Sequence, residues 1–139
     1  MRRFILATHG HFAAGIRESL ELVFGEQENI ATVCAFVDGS SDIKALVQDA
    51  LDAEPEGADI VVCTDILGGS VNNEFLNALP ANPQVHLIAG MNLPMLIALF
   101  LSSEPDTEKL IRTVIASDDI APRYCNDDLR TDTGEDEDF

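Results

Sequence analysis

The chain has 139 residues, 46% of them apolar and 24% charged, a length suited to one core and a composition that excludes a disordered polymer. Its formal net charge of -17 argues against nucleic acid or anionic lipid as a partner, because both need a cationic footprint. The cysteines Cys34, Cys63 and Cys125 are odd in number and lack a CxxC spacing, which excludes a disulfide scaffold and fits small core residues in a reducing compartment.

In chain order, "MRRFILATHG" offers too short an apolar run for a secretory signal, which points to the cytoplasm. Its "FILAT" (4–8) predicts a strand. Phe12, Ile16, Leu20, Val23 and Phe24 then recur at helical spacing, with Gly25 as C-cap. "IATVCAFV" (30–37) predicts a second strand, and "DGSSD" serves as turn and cap for a helix carrying Ile43, Leu46, Val47, Ala50 and Leu51. "ADIVVCT" (58–64) is a third apolar run, followed by the turn "DILGGS" and a helix from Ser70 to Leu79. "VHLIAG" (85–90) is the fourth. The helix after it, Asn92 to Ser102, has Pro94 in its first turn, where proline is tolerated, and apolar residues on every face. Gly90, Asn92 and Pro94 interrupt this segment, leaving it short of the roughly 20 residues that span a bilayer. Leu110, Ile111, Val114 and Ile115 predict a last helix.

Continuous apolar strands alternating with amphipathic helices imply an α/β fold, with a mainly parallel central sheet covered on both faces. Such sheets take ligands at the carboxyl ends of their strands. The loops there are "THGH", "DGSSD", "DILGGS" and "GMNLP", which places His9 and Asp65 at one edge although 56 residues separate them. A neutral imidazole is a good nucleophile near pH 7. A carboxylate on one ring nitrogen fixes the tautomer and frees the other lone pair. Helix N-termini and the Gly68, Gly69, Ser70 turn add N–H groups and a hydroxyl for an anion. Together these parts suit a phosphoryl group on an imidazole. From position alone, His9 reads equally well as a satisfied polar residue at a strand end.

"THG", "DILGGS" and "AGMNLPML", in this order, resemble the mannose-family enzyme IIA component of the bacterial phosphoenolpyruvate-dependent sugar phosphotransferase system, over about residues 3–117. The resemblance implies a phosphocarrier whose histidine, His9, takes a phosphoryl group from phospho-HPr and passes it to an enzyme IIB component. It implies Asp65 as the orienting carboxylate, with Ser70, Gly68 and Gly69 at the phosphoryl group and Thr8 and Gly10 flanking the histidine. No cofactor and no metal are implied. The IIB acceptor is expected as a separate protein, and the membrane enters only through the permease. The family fold is a homodimer with an antiparallel fifth strand exchanged between subunits, for which "DIAPRYC" (119–125) is the candidate, with Pro122 confining it to an edge or bulge. Val71 stands where many relatives have proline.

The domain is expected to span 1–125. Residues 126–139 carry seven acids and one arginine and read as a solvated, disordered tail. His11 fits the rim of the site better than a zinc pair with His9, because Gly10 begins the turn between them. His86, alternating with Val85 and Leu87, reads as structural, and Cys63 as core. Two alternatives share the scaffold: the phosphodonor subunit of a dihydroxyacetone kinase, which usually has serine where this chain has Gly10, and a regulatory module read out by its phosphorylation state. A serine hydrolase is disfavoured because "GGSVN" lacks the second glycine of GxSxG, and a P-loop NTPase is excluded by the missing GxxxxGK[ST].

Overall fold

All four apolar runs become strands: β1 (Arg2–His9), β2 (Ile30–Ala35), β3 (Asp59–Thr64) and β4 (Val85–Ala89). The computed structural model describes residues 1–39 and 42–130. Among these the strands form one all-parallel sheet in the order β2-β1-β3-β4, with Phe4 beside Ile30 and Val61, and Val61 beside His86. The helices are α1 (Phe12–Phe24), α2 (Ile43–Asp52), α3 (Ser70–Ala78), α4 (Leu93–Leu101) and α5 (Thr107–Ile115).

Strand alternation divides the core in two. Phe4 and Leu6 of β1, with Val61 and Cys63 of β3, face α1, α4 and α5, where Leu20, Met95, Leu96, Leu99 and Leu110 are buried. Ile5 and Ala7, with Ile60 and Val62, face α2 and α3 and pack on Val47, Leu51, Val71 and Phe75. With both faces covered, the strands read as unbroken apolar runs. Caps behave as their chemistry dictates: Asp42, Asn92 and Asp106 accept from the N–H groups of Ala45, Met95 and Lys109, and Gly25 ends α1 at φ 80°.

β1 starts two residues before the apolar run because its arginines are held at the amino-terminal edge of the sheet. Arg2 donates to Thr107 Oγ1 and Glu104 O, and Arg3 pairs with Glu54. α4 buries Met95, Leu96 and Leu99 but leaves Leu101 exposed, so its apolar surface is only partly covered by its own chain.

The stretch 119–125 is not a strand in the single chain. A 3₁₀ turn covers Asp118–Ile120, Ala121 is extended, and residues 122–124 pair with no strand of the sheet. Pro122 lacks the N–H that a ladder needs, and Ile120 O is held by Asn92 Nδ2 at 2.9 Å. At the start of the stretch expected as a disordered tail, residues 125–130 form a helical turn, with Asp127 and Asp128 near its N-terminus, where the helix dipole favours carboxylates. The rest of that stretch, 131–139, lies outside the described residues, as do residues 40 and 41 of the predicted turn before α2.

Candidate functional site

The sheet order puts a switch point between β1 and β3. From β1 the chain moves outward to β2, then returns to the other side of β1 for β3, so the loops leaving the two central strands diverge and open a crevice. β1 delivers His9 to this crevice and β3 delivers Asp65. Gly10 follows His9 at φ 61°, and its N–H closes on Ala35 O at 2.8 Å. The N–H of His9 finds its acceptor in a side chain, Asp65 Oδ2, at 2.9 Å. The same oxygen lies 3.0 Å from His9 Nδ1.

Burial pushes the Asp65 carboxyl up. The hydrogen bonds from the main chain and ring of His9 outweigh it, so the group is held below the ordinary carboxylate value. An ionised carboxylate only accepts, so the hydrogen sits on Nδ1 and Nε2 keeps a free lone pair. Nε2 is 3.5 Å from Ser70 Oγ, the outer limit of hydrogen bonding, which leaves that lone pair available. The His9 side chain is 38% exposed and that of Asp65 is 11% exposed: an accessible imidazole on a sheltered carboxylate. Asp65 Oδ1 is buried and has no partner among the described residues.

The third strand's loop completes the site. Gly68 turns the chain at φ 79°, and Gly69, the N-cap of α3, has no side chain because a Cβ there would lie 3.2 Å from His9 Cε1. No side chain caps α3, which leaves the N–H groups of its first turn without a side-chain acceptor. Two bonds hold that turn in place: Thr64 Oγ1 donates to Asn72 Oδ1 at 2.8 Å inside the protein, and Asn73 Nδ2 donates to Gly68 O at 3.2 Å.

His9, Asp65, Gly68, Gly69 and Ser70 therefore come together as the sequence predicts. Thr8 does not join them. Alternation turns it to the opposite face of the sheet, fully buried, where its hydroxyl accepts from Ala13 N at 2.8 Å and seats the start of α1. Gly10 contributes its turn, while its N–H is occupied by Ala35. His11 stands exposed at the N-cap of α1, and His86 is bonded to Asp59 at 3.0 Å, away from the crevice. Burial raises the Cys63 thiol to about 12, so it is inert core.

Sequence reasoning missed Phe36. Its ring stacks on that of His9 with centroids 5.6 Å apart and planes at 27°. Its φ of 65° makes it the one non-glycine left-handed residue among those described, a conformation that costs an L-residue about 1–2 kcal/mol. The sequence placed it inside the second strand, which ends at Ala35. Around the crevice, Phe12, Val37, Ile66 and Leu67 add an exposed apolar rim.

Residues 3–115 match the family described as PTS system fructose IIA component, named EIIA-man. The chain belongs to this family. As a mannose-family IIA component of the phosphotransferase system, it has a phosphotransferase role in sugar transport. It is 28% identical over 141 residues to the PTS system fructose-specific EIIA component of Bacillus subtilis (strain 168), covering 96% of this chain and 97% of that protein. It is 27% identical over 106 residues to the PTS system mannose-specific EIIAB component of Escherichia coli (strain K12), 73% of this chain but only 32% of that longer protein. A crystal structure described as a phosphoenolpyruvate-dependent sugar phosphotransferase system permease, from Klebsiella pneumoniae subsp. pneumoniae MGH 78578, superposes with a TM-score of 0.85. Its identity is 40%, over 92% of this chain and 93% of that one. Among the described residues of this IIA component, no helix is long and apolar enough to cross a membrane.

Proposed function

We propose that this IIA component carries the phosphoryl group on His9 Nε2, taking it from the phosphohistidine of HPr and giving it to a separate enzyme IIB component. The observation that supports this reading most is the double use of Asp65 Oδ2. By accepting from both the main chain and the ring of His9 it leaves Nε2 bare and directed outward. In the step, the Nε2 lone pair forms a bond to phosphorus while the bond from phosphorus to the donor nitrogen breaks, its electron pair staying on the donor. The Nδ1 proton remains on the ring, and ionised Asp65 balances the positive charge the ring acquires. Ser70 Oγ and the first-turn N–H groups of α3 receive the phosphoryl oxygens, with Gly69 allowing their close approach.

The apolar rim of Phe12, Val37, Ile66 and Leu67 gives protein partners a surface that excludes water from the transfer. We assign the protein to the cytoplasm, where the donor is made, and infer a homodimer. In support, β4 is an edge strand with one open side, flanked by exposed Leu76 and Ile115, and α4 leaves Leu101 uncovered. The segment 119–125 of a second copy is the candidate to pair with that edge.

Incubation with phosphoenolpyruvate, enzyme I and HPr, followed by intact mass, tests the carrier role. The wild-type chain and the His11→Ala and His86→Ala variants gain one phosphoryl group, in an acid-labile and base-stable linkage, and the His9→Ala variant gains none. An acid-stable adduct, or unchanged uptake by His9→Ala, refutes it.

A further inference from the structure

Two neighbouring strands leave the sheet through left-handed residues. β1 and β2 pair through His9 and Ala35, and the next residues, Gly10 and Phe36, take φ values of 61° and 65°. Glycine adopts this conformation freely and phenylalanine does not. The Phe36 ring is also only partly sheltered: the residue is 43% exposed and belongs to neither apolar cluster. A glycine would relieve the backbone and remove exposed apolar surface. The ring stacks instead on the imidazole of His9.

We propose that Phe36 is a positioning residue for phosphoryl transfer, its ring holding one face of the His9 imidazole so that Nε2 keeps a single direction; this rests on His9 being the phosphoryl acceptor. The imidazole then meets a fixed group on three sides. Asp65 Oδ2 at Nδ1 sets its rotation within the ring plane, Phe36 limits tilt out of the plane, and at the Cε1 edge Gly69 leaves only the space that a Cβ would fill. A hydrogen bond to one atom of a flat ring leaves tilting about that bond free, which is the motion a stacked face opposes. When Nε2 bonds phosphorus while Nδ1 keeps its proton, the ring turns cationic, and the π face of Phe36 then attracts it more strongly than in the resting state. A positioning role of this kind acts on the rate of transfer rather than on docking.

Full-length wild type, Phe36→Gly, Phe36→Leu and Phe36→Tyr decide the matter through three measurements: thermal melting, rapid-quench transfer from phospho-HPr over a range of donor concentrations, and NMR of the His9 ring in the unphosphorylated protein. The Gly variant should melt at or above the wild-type temperature while its kcat falls roughly tenfold and its KM stays within about twofold. Loss of the π face gives the Leu variant the same fall, and the Tyr variant recovers to within about twofold of wild type. In the NMR spectra the Gly and Leu variants average over ring orientations, and the Tyr variant keeps the wild-type signals. A raised KM at unchanged kcat makes Phe36 a docking contact and overturns the proposal, as do unchanged rates and ring signals. A wild-type protein that takes no phosphoryl group overturns the carrier reading itself, a result distinct from a wild type that transfers alongside variants that transfer equally well.

Discussion

Replacing Asp65 by asparagine removes one charge from the site while keeping its shape. In the orientation that preserves both bonds, the amide oxygen takes the place of Oδ2, 2.9 Å from His9 N and 3.0 Å from Nδ1. The amide nitrogen then occupies the place of Oδ1, a buried position with no hydrogen-bond partner, at a cost of about 1–3 kcal/mol. The flipped orientation presents NH₂ to the main-chain N–H of His9 and forces the ring hydrogen onto Nε2, which blocks the proposed nucleophile. In either orientation the negative charge that offsets the imidazolium is gone. A wrong tautomer in a serine protease triad costs about 10⁴ in rate, so we expect transfer from phospho-HPr to fall by about 10²–10⁴ and the melting point by several degrees. Quenched-flow phosphorylation and circular dichroism melts measure both. A folded Asp65→Asn variant that transfers at the wild-type rate refutes the reasoning. The pH dependence carries a second signature. Because the folded-state pKa of Asp65 is lowered, its contribution to stability is present above the unfolded value of about 3.9 and is lost as pH falls below that toward the folded value. The melting points of wild type and variant should therefore converge in acid.

Gly69→Ala puts a methyl 3.2 Å from His9 Cε1 and should slow transfer about tenfold or more by displacing the ring, with a small change in melting point. Transfer unchanged by the added methyl would show that the loop yields freely. Thr8→Val leaves Ala13 N–H without its acceptor inside the protein and should destabilise the fold by about 1–3 kcal/mol; the phosphorylation end point stays intact, and its loss would return Thr8 to the phosphoryl site. For the proposed dimer, truncation after Cys125 should leave dimerisation, read by light scattering, and phosphorylation of His9 unchanged. Truncation before Asp118 removes the candidate exchanged segment and the Ile120 carbonyl bonded to Asn92, and should weaken the dimer. A monomeric full-length protein refutes the assembly.

The parts legible in the sequence are those set by burial over several residues. Runs such as 58–64 must be strands covered on two faces, and once four of these alternate with helices, the edge holding His9 and Asp65 follows from topology. The side on which Thr8 lies was also available, because period-two alternation puts Phe4, Leu6 and Thr8 on the face opposite Ile5, Ala7 and His9. Matching the residues around the histidine to a motif concealed it. Phe36 was not legible. An aromatic residue after "IATVCA" continues a strand pattern, and only the pairing of β1 with β2 sets Phe36 beside Gly10 and over the imidazole. The stretch 119–125 has strand-like composition, but a strand needs a partner, and within one chain β4 does not receive it.

A single oxygen, Asp65 Oδ2, joins the last residue of β1 to the residue following β3 through two bonds at once. A slip of one strand past the other by one residue breaks both together, so no partly assembled form retains a directed imidazole. Such parallel contacts between distant segments form slowly, because loop-closure entropy is paid before they are gained. During refolding, competence for phosphoryl uptake should thus lag behind helix formation and appear only with the final phase, which makes the extent of phosphorylation at saturating donor a count of native molecules in a preparation.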